Sequence, residues 1–474
     1  VERLSAQDAL FVYAESDACP MHVGALAMLE GAPLRDAAGR LDMPRIVEHF
    51  ASRLRLAPIL RSRLLSVPLR LGHPVWAEDP AFDARVHVRE KVLPNPVTTA
   101  ALYRFVEELQ STPLPRDKAL WDLWLVDGLE DDRVAVVQRL HHALSDGMSA
   151  VQFATVLYDL QRKPPAVVSA AGHTRLPVTL PSSWELARRA VSHQVDVQRS
   201  LGKQVVEQIR RGEVQEVVGV GRLRALGTML AQAPRSLLTV DAPTSPRRWL
   251  PVRTPLAPLQ TFGRSVNGTL NDVVLALVTS AVARYCGERG TRPNELHTWI
   301  PISTRRRGET QAGGNQWSGV PVTLPSSEGD LASRVKAIHE QTSKIKASGI
   351  AAELKELSAL SEGVPAFAQR MLSRTRLGCG ARNMHLSVSN VPGPPFGLYV
   401  LGARVLEVHP FSIIANHSAL AVTTLSYQGA ISFGLSAQAT ALPDLDRLSS
   451  LLEEEIASVT AHTTPPTAEA PQSP

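Results

Sequence analysis

A mainly apolar run over residues 134–140 reads as a strand, and then Ala150, Phe153, Leu157 and Leu160 recur at helical spacing. The stretch between them therefore sits where a strand hands over to a helix. From residue 184 to about 232 the rhythm is helical again, with Val191, Val195, Leu201, Val205 and Ile209 near a four-residue period. Residues 408–443 contain no Asp, Glu, Lys or Arg, yet Asn416, His417, Ser418, Thr423, Thr424, Ser426, Gln428 and Ser432 interrupt them. Alternation on both sides of Tyr427-Gln428-Gly429 predicts a buried hairpin there, not a membrane span.

Breaks in the pattern divide the chain. Lys163-Pro164-Pro165 and the Ser/Ala/Gly/Pro-rich passage through Pro181-Ser182-Ser183 read as a linker. The expected units are 1–165, a linker and basic helical crossover over 166–260, a third unit over 261–460, and a tail over 461–474 too polar and proline-rich to pack. No internal repeat is evident.

Composition narrows the class. A chain of 474 residues with 44% hydrophobic content fills two or three domain-sized cores. Cys19, Cys286 and Cys379 are few, odd in number and far apart, which favours a reducing compartment and small buried side chains over a disulfide framework or a thiol nucleophile. No basic start with a long apolar centre and cleavage site marks the N-terminus for secretion, so a cytoplasmic location is expected. Residues 184–250 hold eleven Lys plus Arg against six Asp plus Glu, a net of five equal to that of the whole chain, so the basic surplus is local. A basic amphipathic helix there either lies on an anionic membrane or droplet surface or packs as an ordinary crossover helix. Aromatic content of 5% without interleaved basic residues argues against nucleic-acid binding.

The chemistry concentrates in Leu140-His141-His142-Ala143-Leu144-Ser145-Asp146-Gly147, which carries the spacing HHxxxDG. Successive strand residues face opposite ways, so one histidine is the worker and the other a support. Imidazole can take a proton from a hydroxyl and return it to a leaving group, as acyl transfer to an alcohol requires. Asp146 reads as organiser, as helix N-cap, or as both, and Gly147 gives the turn room. The chain has no GxxxxGK[ST] loop, no GxSxG elbow and no His/Cys cluster at metal spacing, which disfavours nucleotide hydrolysis, serine hydrolase and metal chemistry.

With its companions the motif resembles the bacterial wax ester synthase/diacylglycerol acyltransferase family, within the CoA-dependent acyltransferase superfamily. Pro20-Met21-His22-Val23-Gly24 looks like the family's PMHVG element, and Trp76, Phe82-Asp83 and His87-Val88-Arg89 like its W…DFD…HVR stretch. Asn271-Asp272-Val273-Val274-Leu275-Ala276 resembles NDVVLA, Pro301-Ile302-Ser303 resembles PVS, and Ser389-Asn390-Val391-Pro392-Gly393-Pro394 matches SNVPGP. Where the family often reads RPLW, this chain has Lys118-Ala119-Leu120-Trp121, and no site residue is assigned there.

The resemblance implies an α/β fold of two chloramphenicol-acetyltransferase-like domains joined by the helical crossover, with acyl-CoA and an acyl acceptor meeting between them and no bound cofactor. It implies His142 as general base, His141 as support, Asn271 as donor to the developing oxyanion, and Asp272, Ser389 and Asn390 toward substrate, while Asn271-Asp272 also reads as a helix cap before Val273, Val274 and Leu277. Arg305, in Arg305-Arg306-Arg307, is read either as a CoA phosphate contact or as a solvated loop residue. Diacylglycerol is the first acceptor implied, by likeness to the triacylglycerol-forming branch. A long-chain alcohol giving wax ester is the alternative, and a non-catalytic lipid-droplet-binding protein is the non-enzymatic one. Condensing enzymes that act on polyketide or peptidyl thioesters share HHxxxDG, but the NDVVLA and SNVPGP elements separate this chain from them.

Overall fold

The structure is a computed structural model that describes residues 1–94, 96–144, 156–163, 179–211, 227, 232–244, 246–303, 317–327, 329–350, 353–354, 360–373 and 384–463. Outside them lie Asp146, Gly147, Arg305, Cys379, most of the expected linker and of the tail, and the crossover helix beyond residue 211 apart from residue 227.

Among the described residues two large sheets carry the fold. The first runs in the order β12-β13-β2-β7-β6-β5, with β2 (His22–Glu30), β5 (Val88–Lys91), β6 (Trp121–Val126), β7 (Arg133–His141), β12 (Tyr399–Val400) and β13 (Ala403–Phe411). The second runs β10-β9-β11-β14-β15-β8, with β8 (Arg247–Pro255), β9 (Glu295–Ser303), β10 (Trp317–Pro325), β11 (Leu386–Val391), β14 (Leu420–Tyr427) and β15 (Ala430–Gln438). A small sheet β1-β4-β3 joins β1 (Glu2–Arg3), β3 (Ser62–Leu65) and β4 (Val75–Glu78). The helices used below are α1 (Ala6–Ala14), α2 (Met43–Arg53), α3 (Thr99–Ser111), α4 (Ser183–Arg210), α5 (Leu256–Ser265), α6 (Leu270–Gly287), α7 (Leu331–Ala347), α8 (Ala366–Ser373) and α9 (Leu445–Thr463).

Helices cover both faces of the first sheet. Val134 and Val136 of β7 pack with Ile46 and Phe50 of α2, while Ala135 and Val137 pack with Leu102, Phe105 and Val106 of α3. Burial on both faces explains why 134–137 reads as an apolar run, departing from the alternation expected of a strand with one wet face. In the second sheet, α6 and α9 bury a layer that includes Val274, Leu277, Leu448 and Leu452 against Val388, Val422 and Phe433. The predicted hairpin is β14 and β15, paired from Leu420↔Ala437 to Tyr427↔Ala430 and closed by Gln428 and Gly429, both with positive φ.

Hydrogen bonding redraws the expected boundaries. Residues 247–255, assigned to the crossover by composition, form the edge strand β8 and pair with β15 from Arg247↔Gln438 to Pro255↔Ala430. Prolines 251 and 255 are tolerated because that edge needs fewer ladder donors. Conversely β13, from the third unit, pairs with β2 from Val405↔Leu29 to Phe411↔Gly24 and so completes the first sheet. Part of the local basic surplus is also structural, since Arg247 is buried and donates to the carbonyls of Ala18 (3.0 Å) and Thr244 (2.6 Å). Cys19 and Cys286 are buried free thiols.

Among the described residues no single helix is long and apolar enough to cross a membrane. The bent pair α5–α6 has the length and composition only when both are counted, and most of α6 is buried in the second core.

Candidate active site

His141 and His142 leave the end of β7 in different directions. The His141 backbone pairs opposite His22 of β2, and its side chain is fully buried. Its Nδ1 accepts from the Ala143 amide at 3.1 Å, which leaves the ring hydrogen on Nε2, and Nε2 faces Glu15 Oε1 at 3.4 Å. Glu15 follows directly on α1. Its carboxylate also accepts from the Met21 amide (3.1 Å) and from Arg116 Nη2 (2.6 Å) and Nε (3.0 Å). Burial alone would push this carboxyl up, but His141, Arg116 and the Met21 amide outweigh it and hold the pKa at about 2. His22 beside them is fully buried, and desolvation together with the Arg139 charge drives its pKa well down, so it stays neutral.

His142 turns the other way. Its amide donates to the Met21 carbonyl at 2.8 Å, its ring stacks on Phe11 with centroids 4.0 Å apart, and it lines a cavity of about 190 Å³ between the two large sheets. The first sheet contributes Trp121, Gln138 and Leu140 to the wall, and the second contributes Ser389, Thr423 and Leu425. Two close approaches shape it. A Cβ on Gly24 would stand 2.1 Å from the Gln138 carbonyl oxygen and 2.3 Å from the Phe411 ring, so the glycine of Pro20–Gly24 lets Phe411 lie across β2. A Cβ on Gly434 would stand 1.7 Å from the Pro410 carbonyl oxygen, so that glycine lets β15 meet β13.

Polar groups on the wall are held in place. Arg139 donates to Asp122 through Nε (2.9 Å) and Nη2 (2.5 Å), and to the Thr112 carbonyl at 2.8 Å, both side chains being buried. Tyr158 OH donates to Gln138 Oε1 at 3.1 Å. Trp121 donates Nε1–H to the Leu60 carbonyl at 2.6 Å.

The remaining expected residues fall into two groups. Ser389 is on the cavity wall, whereas the Asn390 side chain accepts from Thr424 Oγ1 at 2.9 Å and is not a lining residue. Asn271 and Asp272 stand in the first turn of α6, also away from the lining. Asp272 closes a capping box with Thr269, accepting from its amide (2.9 Å) and hydroxyl (2.7 Å), and accepts from Thr342 (3.0 Å) with His339 Nδ1 at 2.8 Å. Burial raises this carboxyl, and those hydrogen bonds bring it below its ordinary value. The structure thus ties Asp272 to its own helix start, in place of the substrate contact expected for it, because both oxygens already have internal partners.

Sequence reasoning missed Glu15, Phe11, Arg139 and Trp121. Leu120 and Trp121, the two residues shared with the RPLW element, were the available signal for Trp121. A single acidic residue ahead of Pro20–Gly24 gave none for Glu15.

The model of the wax ester synthase/diacylglycerol acyltransferase catalytic domain matches residues 4–274, and that of the C-terminal domain matches 313–460. The chain belongs to this family. A Mycobacterium tuberculosis relative of the family, named a probable diacylglycerol O-acyltransferase, is 29% identical over 471 residues, covering 97% of this chain and 96% of that protein. A second M. tuberculosis protein, also named as a diacylglycerol O-acyltransferase, is 30% identical over 477 residues, covering 98% and 99%. The solved wax ester synthase/diacylglycerol acyltransferase of Marinobacter aquaeolei VT8 superposes with a TM-score of 0.65 at 24% identity, covering 97% of this chain and 99% of that one. The first condensation domain of the calcium-dependent antibiotic synthetase shares the fold at a TM-score of 0.59 and 17% identity, covering 99% and 98%. As a wax ester synthase/diacylglycerol acyltransferase family member, the chain is an acyl-CoA-dependent acyltransferase of α/β architecture.

Proposed function

We propose that the chain transfers a long-chain acyl group from acyl-CoA to the free hydroxyl of diacylglycerol, with His142 as general base. The observation that carries this reading is the placement of His142 on the wall of a mainly apolar cavity between the sheets, while His141 is sealed against Glu15. His142 takes the hydroxyl proton as the oxygen attacks the thioester carbonyl. The C–S bond then breaks and the CoA sulfur takes that proton back, leaving an ester and free CoA. Nucleophile and leaving group come with the two substrates, so neither an acyl-enzyme nor a bound cofactor is needed.

The oxyanion needs fixed donors, each worth on the order of 100-fold in rate. Because Asn271 lies away from the cavity lining, the Ser389 hydroxyl on the wall is the better-placed donor. His141 acts by holding the end of β7. The roles expected of Asp146 and Gly147 beside His142, and of Arg305 toward CoA phosphate, fall on residues outside the described ones. Diacylglycerol is preferred as acceptor because the mycobacterial relatives carry that activity in their names.

The test is CoA release from palmitoyl-CoA with diacylglycerol and hexadecanol as competing acceptors, products identified by mass, and His142→Ala alongside. Triacylglycerol that disappears in the variant is the expected result. Wax ester in its place would overturn the acceptor, and full activity in a folded His142→Ala protein would overturn the base.

A further inference from the structure

We propose that the exposed apolar stripe of α4 seats the protein on an anionic lipid surface. The inference does not rest on His142. Helix α4 spans 28 residues, about 42 Å at 1.5 Å per residue, and starts at a capping box between Ser182 and Glu185. It is attached by one side. Leu186 and Ala190 pack on Val67 and Val75, and Gln194 and Gln198 donate to the Gly363 carbonyl at 3.2 and 2.7 Å.

Away from Leu186 and Ala190 runs a stripe of Trp184, Val191, Val195, Val206 and Ile209, with exposures from 41% to 76%. At 100° per residue these five fall within roughly 60° of arc, as two patches, Trp184 to Val195 and Val206 to Ile209, with Gly202 between them on the same line. Arg188, Arg199 and Arg210 flank it on one side, all exposed. By the same geometry the nearest acidic position, Glu185, stands about 100° from Trp184, farther out than any of these arginines. An apolar line ending in an exposed tryptophan and bordered by arginines matches a helix lying in a bilayer interface. Its valines enter the acyl region and its guanidinium groups stay among lipid phosphates. A buried protein contact would instead place aliphatic residues in a shaped groove, and charge complementarity selects the anionic lipid.

Flotation of the full chain with vesicles of equal parts phosphatidylcholine and phosphatidylglycerol, and with phosphatidylcholine alone, tests this. Binding to the mixed vesicles is expected. Arg188→Ser/Arg199→Ser/Arg210→Ser should weaken it on the order of 100-fold, and Val195→Glu/Val206→Glu should abolish it. Both variants should retain CoA release with detergent-dispersed substrates, which separates this proposal from the catalytic one. Absence of wild-type flotation, equal binding to neutral vesicles, or unchanged flotation of both variants would overturn it. A concentration-dependent dimer in sedimentation that Val195→Glu/Val206→Glu dissolves would overturn it in favour of a second copy of the chain.

Discussion

The two large sheets face the same cavity but bring different chemistry to it. The first sheet carries nearly every ionisable group nearby: His142 on the wall, His141 against Glu15, and Arg139 locked to Asp122. The second offers hydroxyls and aliphatics, Ser389, Thr423 and Leu425, while a polar cluster at Asp272, His339 and Thr342 fixes a helix start away from the lining. Two sheets of similar size have thus divided the labour. One holds its ionisable groups against buried partners, and the other supplies hydroxyls and aliphatic wall.

That division can be broken one residue at a time. The largest loss should come from His142→Ala, with CoA release falling about 10²- to 10⁴-fold at unchanged thermal stability. Asp122→Ala leaves the buried Arg139 guanidinium uncompensated and should cost about 3–5 kcal/mol in a denaturant titration, whereas an equal loss for Ser389→Ala would dissolve the contrast between the sheets. Glu15→Gln acts through pH. The carboxyl sits at about 2 in the folded protein against an ordinary 4.5, so its contribution is present above the unfolded value and lost as pH falls through the folded one. The wild type should lose about 3 kcal/mol of stability between those two values that the Gln variant never had, a difference read from urea midpoints at several pH values. Smallest in rate should be Asn271→Ala. Away from the lining, it should leave kcat within about twofold, and a 100-fold fall would return the oxyanion role to it.

What was legible in the sequence is local. Period-2 geometry separates His141 from His142 without any structure, and the β14–β15 hairpin announces itself by alternation around Gln428-Gly429. Long-range partners were not legible. Glu15 meets His141 only because α1 delivers it to the end of β7, and nothing in the local sequence marks that pairing. Strand β8 was hidden for another reason: Arg247-Arg248-Trp249-Leu250-Pro251 looks like a basic linker, yet its charges are spent on neighbours, Arg248 reaching Glu107 (3.1 Å) and Asp446 (2.9 Å). Asn271-Asp272 shows the converse limit, where a motif points to function and its carboxylate serves a helix cap.

The return of β13 to the first sheet sets an order on biosynthesis. While the chain leaves the ribosome, β2 and β7 can pair early, but the far edge of β2 stays open until 403–411 emerge, tens of seconds later at roughly 5–20 residues per second. During that interval the nascent protein displays an unpaired strand beside its unfinished cavity, a surface suited to chaperone capture and to pairing with the wrong chain. A product truncated before residue 403 would hold the whole HHxxxDG motif and still lack the strand that closes its sheet.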